Sequence, residues 1–218
     1  MGSTFIANIE ELNRLLLQMA TLSEEMVKRA LEALKNQNIK AAKVVILRDD
    51  EIDSLENTIN AHILRSLSNH LPVAVDLRFF LSAQKINNDL ERVADHAVNI
   101  AEAAIALADA PHVKPLVNIP KMAEIVAQML KEAIDSFVYR DTSLALAVRR
   151  RDDEIDDLYQ LVKNALSVVV REHPDSFDRA LHLLGVSTDL ERIADLATNI
   201  AEEVFFITDA EVLKHTDI

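Results

Sequence analysis

Apolar residues recur along the chain at steps of three and four. Ile9, Leu12, Leu16, Met19, Met26, Ala30 and Ala33 form one series, with a polar gap at Ser23. Val45, Ile52, Leu55, Ile59 and Ile63 form a second, and Leu90, Val93, Ala97, Ile100, Ala104 and Leu107 a third. Past the midpoint, Val148, Ile155, Val162 and Val169 step by seven, and Leu190, Ile193, Ala197, Ile200, Val204 and Ile207 make another seam. Side chains three and four apart share a helix face, so each series predicts an amphipathic α-helix. The pattern breaks near Asn36–Asn38, His70–Pro72, Arg140–Thr142, His173–Pro174 and a cluster of three prolines, with Thr142 and Asp175 read as helix N-terminal signals. Six long helices are expected, each about 25–35 residues or roughly 40–50 Å.

The two halves of the chain are copies. Residues 89–102 read DLERVADHAVNIAE and residues 189–202 read DLERIADLATNIAE, identical at 11 of 14 positions. Upstream, RDDEIDSL at 48–55 is matched by RDDEIDDL at 151–158. Two blocks kept in the same order at nearly the same offset indicate an internal duplication. Each helix must hide its apolar stripe, and three of them with short connections make an antiparallel bundle. The expected fold is therefore all-α, two tandem, internally duplicated three-helix antiparallel bundles. The first would span 1–110 and the second 121–218, joined by a linker at 111–120 that holds Pro111, Pro115 and Pro120. Ala94, Ala97 and Ala101, with Ala194, Ala197 and Ala201, would let helices approach closely.

Composition narrows the chemistry. Among 218 residues there are 2 glycines, Gly2 and Gly185, where ordinary usage gives roughly 15. Phosphate-cradling glycine loops are excluded, and β-sandwiches or barrels are disfavoured. Lys and Arg total 23 against 36 Asp and Glu, a formal charge of −13, which repels nucleic acid and attracts cations or basic partners. The absence of cysteine excludes disulfides, thiolate zinc sites and cysteine nucleophiles. No apolar run approaches the ~18 residues of a membrane span, and the N-terminus lacks a secretory pattern. It also lacks a myristoylation pattern, with Ile6 at the position that needs Ser or Thr. A cytoplasmic location is expected.

The residues that the halves share are mostly acids. Asp49 and Asp53 are four apart, as are Glu91 and Asp95, and the second half repeats them as Asp152 and Asp156, Glu191 and Asp195. That spacing stacks both carboxylates of a pair on one helix face. Asn99 and Asn199, and Glu102 and Glu202, continue the same stripes. Like charges so placed repel, and two pairs on adjacent helices require something cationic between them. Arg92 and Arg192 project about 100° away on the helical wheel and are read as poor neutralisers of their own stripe, though candidates for a supporting role beside it. A metal ion, from Mg, Mn, Ca, Fe or Zn, answers the requirement. So does a salt-bridge network using Arg48, Arg92, Arg151 and Arg192.

The seven histidines form no paired ligand motif, and His96 has Leu196 as its counterpart. The run Arg149–Arg151 is expected to pair with Asp153 and Glu154, and Phe205 and Phe206 to anchor a core or interface.

The blocks DLERVADHAVNIAE and DLERIADLATNIAE resemble the repeated signature of the PhoU family, the phosphate-uptake regulators of bacteria and archaea. The stretch 71–102 is similar to the third helix of that family's first repeat, the RDDEID blocks to its second and fifth helices, and EVLKH at 211–215 also looks familial. Ala94 and Ala194 stand where the family often has glycine, a change a helix tolerates. The resemblance covers nearly the whole chain. It implies multinuclear sites for iron, zinc, magnesium or manganese, built from Asp49, Asp53, Glu91 and Asp95 and from Asp152, Asp156, Glu191 and Asp195. It further implies a non-enzymatic negative regulator of phosphate uptake and of the phosphate-starvation response. Such a protein connects the phosphate ABC transporter, on its cytoplasmic ATPase side, to a sensor histidine kinase; a homodimer is compatible with the long acidic helices. Two alternatives come from other classes. A ferritin-like metalloenzyme would use Glu-x-x-His pairs, which are absent here. A spectrin-like spacer would have no use for duplicated acidic pairs.

Overall fold

The computed structural model describes residues 3–69, 73–109 and 118–208. Within them lie eight α-helical segments: α1 (Ser3–Asn36), α2 (Ile39–Leu47), α3 (Asp49–Asn69), α4 (Ala74–Leu107), α5 (Asn118–Tyr139), α6 (Thr142–Arg150), α7 (Asp152–Glu172) and α8 (Phe177–Thr208). A short 3-10 turn at Pro174–Ser176 precedes α8. No strand occurs among the described residues. Pro111, Pro115, the break at His70–Pro72 and the EVLKH ending lie outside them; Pro120 sits in the first turn of α5.

The eight segments make six rods. Only Arg48 (φ −81°, ψ −9°) separates α2 from α3, and only Arg151 (φ −88°, ψ −9°) separates α6 from α7. Hydrogen bonding runs through both breaks: the Ile52 and Ile155 amides donate to the Arg48 and Arg151 carbonyls at 3.4 Å. Each break is a loosened turn within one rod, and its consequence is positional. Asp49 and Asp152 become the first residues of α3 and α7, where the helix dipole favours negative charge.

Two helix ends show how the chain manages with so little glycine. Gln37 (φ 49°) and Arg140 (φ 52°) take the left-handed conformation that closes α1 and α5, at a cost of about 1–2 kcal/mol for a residue with a Cβ. Compensation is local. The Asn38 amide donates to the Ala33 carbonyl at 2.9 Å and the Asp141 amide to the Ser136 carbonyl at 3.0 Å, the capping pattern of a left-handed helix terminus. Gln37 Nε2 donates to the Leu107 carbonyl at 3.2 Å, and Arg140 lies 5.6 Å over the Phe79 ring. The next residue then caps the following helix: Asn38 accepts from the Ala41 amide, and Asp141 from the Ser143 and Leu144 amides. Thr142, expected as the signal, is instead the first helical residue after the Asp141 cap. Asp175 lies inside the 3-10 turn, and α8 begins at Phe177.

In the first bundle α1 and the α2–α3 rod pack on α4; in the second α5 and the α6–α7 rod pack on α8. The most extensive contact of all joins the halves, α4 against α8. The two run antiparallel, since Ser82 meets Glu203 while His96 meets Asp189. The alanines of both seams, Ala94, Ala97 and Ala101 with Ala194, Ala197 and Ala201, are all at most 1% exposed. The polar gap at Ser23 is a buried serine whose hydroxyl donates to the Met19 and Leu90 carbonyls, tying α1 to α4. Glu203 is also buried, and its two oxygens accept from Ser82 Oγ and Lys85 Nζ of the other half, each at 2.7 Å. Lys85 in turn lies 5.5 Å over the Phe206 ring.

Candidate functional site

The α2–α3 rod lies against α4, and the α6–α7 rod against α8. This brings the predicted acids face to face in two clusters. In the first, burial raises the pKa of Asp49, and the charges of Asp95, Asp53 and Asp50 raise it further. Glu91 is raised by burial and then by Asp95, Glu56, Asp53 and Asp49. Asp49, Asp53, Glu91 and Asp95 thus feel one another across the α3–α4 contact, joined by Glu56. In the second cluster the Asp152 carboxyl is pushed up to about 6, first by burial, then by Asp195, Asp156 and Asp153. Asp156 is raised by burial, Asp195, Asp153 and Asp157. Glu191 is raised by burial and Asp195, with Arg192 and His96 acting the other way. Raised carboxyls on facing helices mean that negative charge is held together at a cost to the fold.

The arginines that could neutralise these acids are mostly engaged elsewhere. Arg48 pairs with Glu25 of α1 at 2.8 Å, Arg151 with Glu132 of α5 at 2.6 Å, and Arg92 reaches Asp89 at 3.9 Å. Arg192 alone of the four joins its own stripe, at 3.1 Å from Asp195 and 3.4 Å from Glu191. The Cβ of Arg192 points away from the stripe on the helical wheel, but its long side chain folds back across it. The run Arg149–Arg151 also pairs differently than expected. Arg149 lies 3.7 Å from Glu202, and Glu154 is taken by Lys121 at 3.0 Å.

The flanking residues divide. Glu202 is half-buried beside Arg149, whereas Glu102 is exposed. Asn99 turns toward the other half and donates to Asp189 at 3.2 Å, where His96 Nδ1 also bonds the same carboxylate oxygen at 2.9 Å. Asn199 is half-buried on α8, one turn past Asp195. His96, which has Leu196 as its counterpart in the second half, is thus part of the contact between halves.

All the acidic donors are carboxylate oxygens, the chemistry that suits hard and borderline divalent cations. Among the described residues, no three His, Asp or Glu side chains stand at ligating spacing as they are. What the two clusters share is donor type, negative charge and the convergence of adjoining rods. No helix of the described residues is long and apolar enough to cross a membrane.

Comparison with known proteins agrees with this architecture. The family model for the PhoU domain matches twice, at residues 16–104 and 119–204. A phosphate-specific transport system accessory protein PhoU homolog of Aquifex aeolicus is 42% identical over 210 residues, covering 96% of this chain and 95% of that protein. One from Clostridium acetobutylicum is 35% identical, covering 95% and 96%. The crystal structure of PhoU from Pseudomonas aeruginosa superposes with a TM-score of 0.93 at 33% identity, covering 95% of this chain and all of that one. The phosphate transport system regulatory protein PhoU from Streptococcus pneumoniae gives 0.89 at 26% identity, covering 98% of this chain and 100% of its own.

Proposed function

This chain belongs to the PhoU domain family, a family of regulatory accessory proteins rather than enzymes, and on that premise we propose that it restrains phosphate uptake and the phosphate-starvation response as a metal-binding adaptor. Its partners in this reading are the phosphate ABC transporter, met on its cytoplasmic ATPase side, and the sensor histidine kinase. The protein works in the cytoplasm as a homodimer and meets the membrane only through those partners.

The observation that carries the metal reading is the electrostatic imbalance. Eight acids converge in two clusters while Arg48, Arg92 and Arg151 pair with other residues. Asp49, Asp53, Glu91 and Asp95 would hold one ion or small group of ions, and Asp152, Asp156, Glu191 and Asp195 another, with iron, manganese, magnesium or zinc as the candidates. Cations there supply the positive charge that relieves repulsion between adjoining rods. The chain's own part is to hold the carboxylates on rigid helices and to engage Arg48, Arg92 and Arg151 with other acids, Arg192 alone remaining beside its own stripe. The adaptor reading draws support from apolar residues left exposed at the starts of α4 and α8. Leu77 and Leu81 are matched one hundred residues later by Phe177 and Leu181. Duplicated exposed apolar side chains suit a protein that docks on others.

The test is a strain lacking the protein, together with affinity capture using the purified chain. Loss of the chain should raise phosphate uptake and starvation-gene expression in phosphate-rich medium, and the chain should retain the transporter ATPase or the kinase. Unchanged uptake and expression, with neither partner captured, would overturn the adaptor role.

A further inference from the structure

The two clusters differ at a position where the duplicated blocks part company. Thr198 of the second half replaces Val98 of the first. Thr198 lies on α8 one turn beyond Asp195, and its Oγ1 is sealed from solvent without a hydrogen-bond partner. That is unusual for a helical threonine, which normally returns its hydroxyl to the carbonyl one turn back. Thr21, Thr58 and Thr188 do this here, donating to the Leu17, Ser54 and Leu184 carbonyls at 2.8, 2.8 and 3.1 Å. The Thr198 hydroxyl instead lies beside Asp152 of α7, where it acts as a donor that opposes the rise in that carboxyl's pKa but falls short of a well-formed hydrogen bond. A buried hydroxyl with no partner is costly, so its placement calls for an acceptor.

We propose that Thr198 is a positioning residue for the second carboxylate cluster, its Oγ1–H donating to Asp152 when that carboxylate closes on a divalent cation. The inference rests on the metal reading above and adds to it a residue that the shared repeat does not contain. A bond of this kind fixes which carboxylate oxygen faces the ion and keeps the other occupied. Val98 offers the first cluster nothing equivalent, so the hydroxyl acts on one cluster only. Removing such an outer partner typically lowers metal affinity by roughly 10- to 100-fold.

The test is calorimetric titration of the full chain with manganese chloride, in a background where Asp53→Asn and Asp95→Asn disable the first cluster. Thr198→Val, which keeps the shape and removes the costly hydroxyl, should weaken Mn²⁺ binding by roughly 10- to 100-fold while leaving the metal-free protein no less stable to heat. Thr198→Ser, which restores a hydroxyl, should recover affinity close to that of the threonine. Equal affinities for threonine and valine, or a serine no better than valine, would overturn the role of Thr198 alone. No Mn²⁺ uptake by the unaltered chain would overturn the metal reading and this inference together.

Discussion

If the clusters exist to receive cations, the metal-free fold should be more stable once one of their charges is removed. Asp152 is the clearest case. Its carboxyl is raised from 3.8 to about 6 by burial and by Asp195, Asp156 and Asp153. The folded chain therefore holds this proton more tightly than the unfolded chain does. The sign follows: the metal-free protein gains from this group fully below pH 3.8, loses the gain as pH rises through about 6, and carries the whole penalty above it. For a fully shielded group the difference corresponds to about 3 kcal/mol at neutral pH. Asp152 is only half-buried, and solvent screening reduces the expectation to about 1–1.5 kcal/mol. Asp152→Asn keeps the shape and removes the charge. In metal-free buffer with chelator at pH 7.5 it should raise the melting temperature by roughly 3–5 °C. The stability difference between pH 5 and pH 7.5 should shrink in the variant. A destabilised variant, or one with an unaltered pH profile, would refute the argument that the cluster is electrostatically strained.

Other substitutions test the frame that holds the clusters. Glu203→Ala removes the acceptor of the buried Ser82 and the partner of Lys85, and should cost about 2 kcal/mol by urea denaturation. Pairing it with Ser82→Ala in a double-mutant cycle should show the two effects to be non-additive. Ala97→Leu forces extra methyl groups into the fully buried α4 seam and should lose about 1–3 kcal/mol or more, read the same way. Gly185 sits within α8 with nothing near the place a Cβ would occupy. Gly185→Ala should therefore stabilise by about 0.5–1 kcal/mol, seen as a higher urea midpoint with an unchanged slope.

Much of this architecture is legible in the amino-acid order because helical period is a strong signal. The seams through Leu90–Leu107 and Leu190–Ile207 reappear as the buried faces of α4 and α8. The acids four apart meet their partners because the RDDEID and DLER blocks lie on rods that pack together. Several residues of the site and its frame are hidden for one reason. Matching the halves reveals what they share and hides what distinguishes them. Glu56 lies on the same helix row as Asp49 and Asp53, but its counterpart is Tyr159, so the repeat gave no reason to notice it. Thr198 is masked by Val98 in the same way. The clamp of Ser82, Lys85 and Glu203 has His182, Gly185 and Ala103 as its counterparts. Arg192 shows a second gap, since a helical wheel locates Cβ and not the end of a guanidinium side chain. The caps at Asn38 and Asp141 depend on left-handed residues at Gln37 and Arg140 that no propensity marks.

The central claim is that the paired carboxylates of both halves are cation sites. Its most direct test is diffraction from crystals grown with manganese, with anomalous scattering recorded above the manganese edge. The account predicts anomalous density between Asp49, Asp53, Glu91 and Asp95, and again between Asp152, Asp156, Glu191 and Asp195. Crystals with no anomalous peak at either cluster, or with manganese bound only elsewhere, would contradict it.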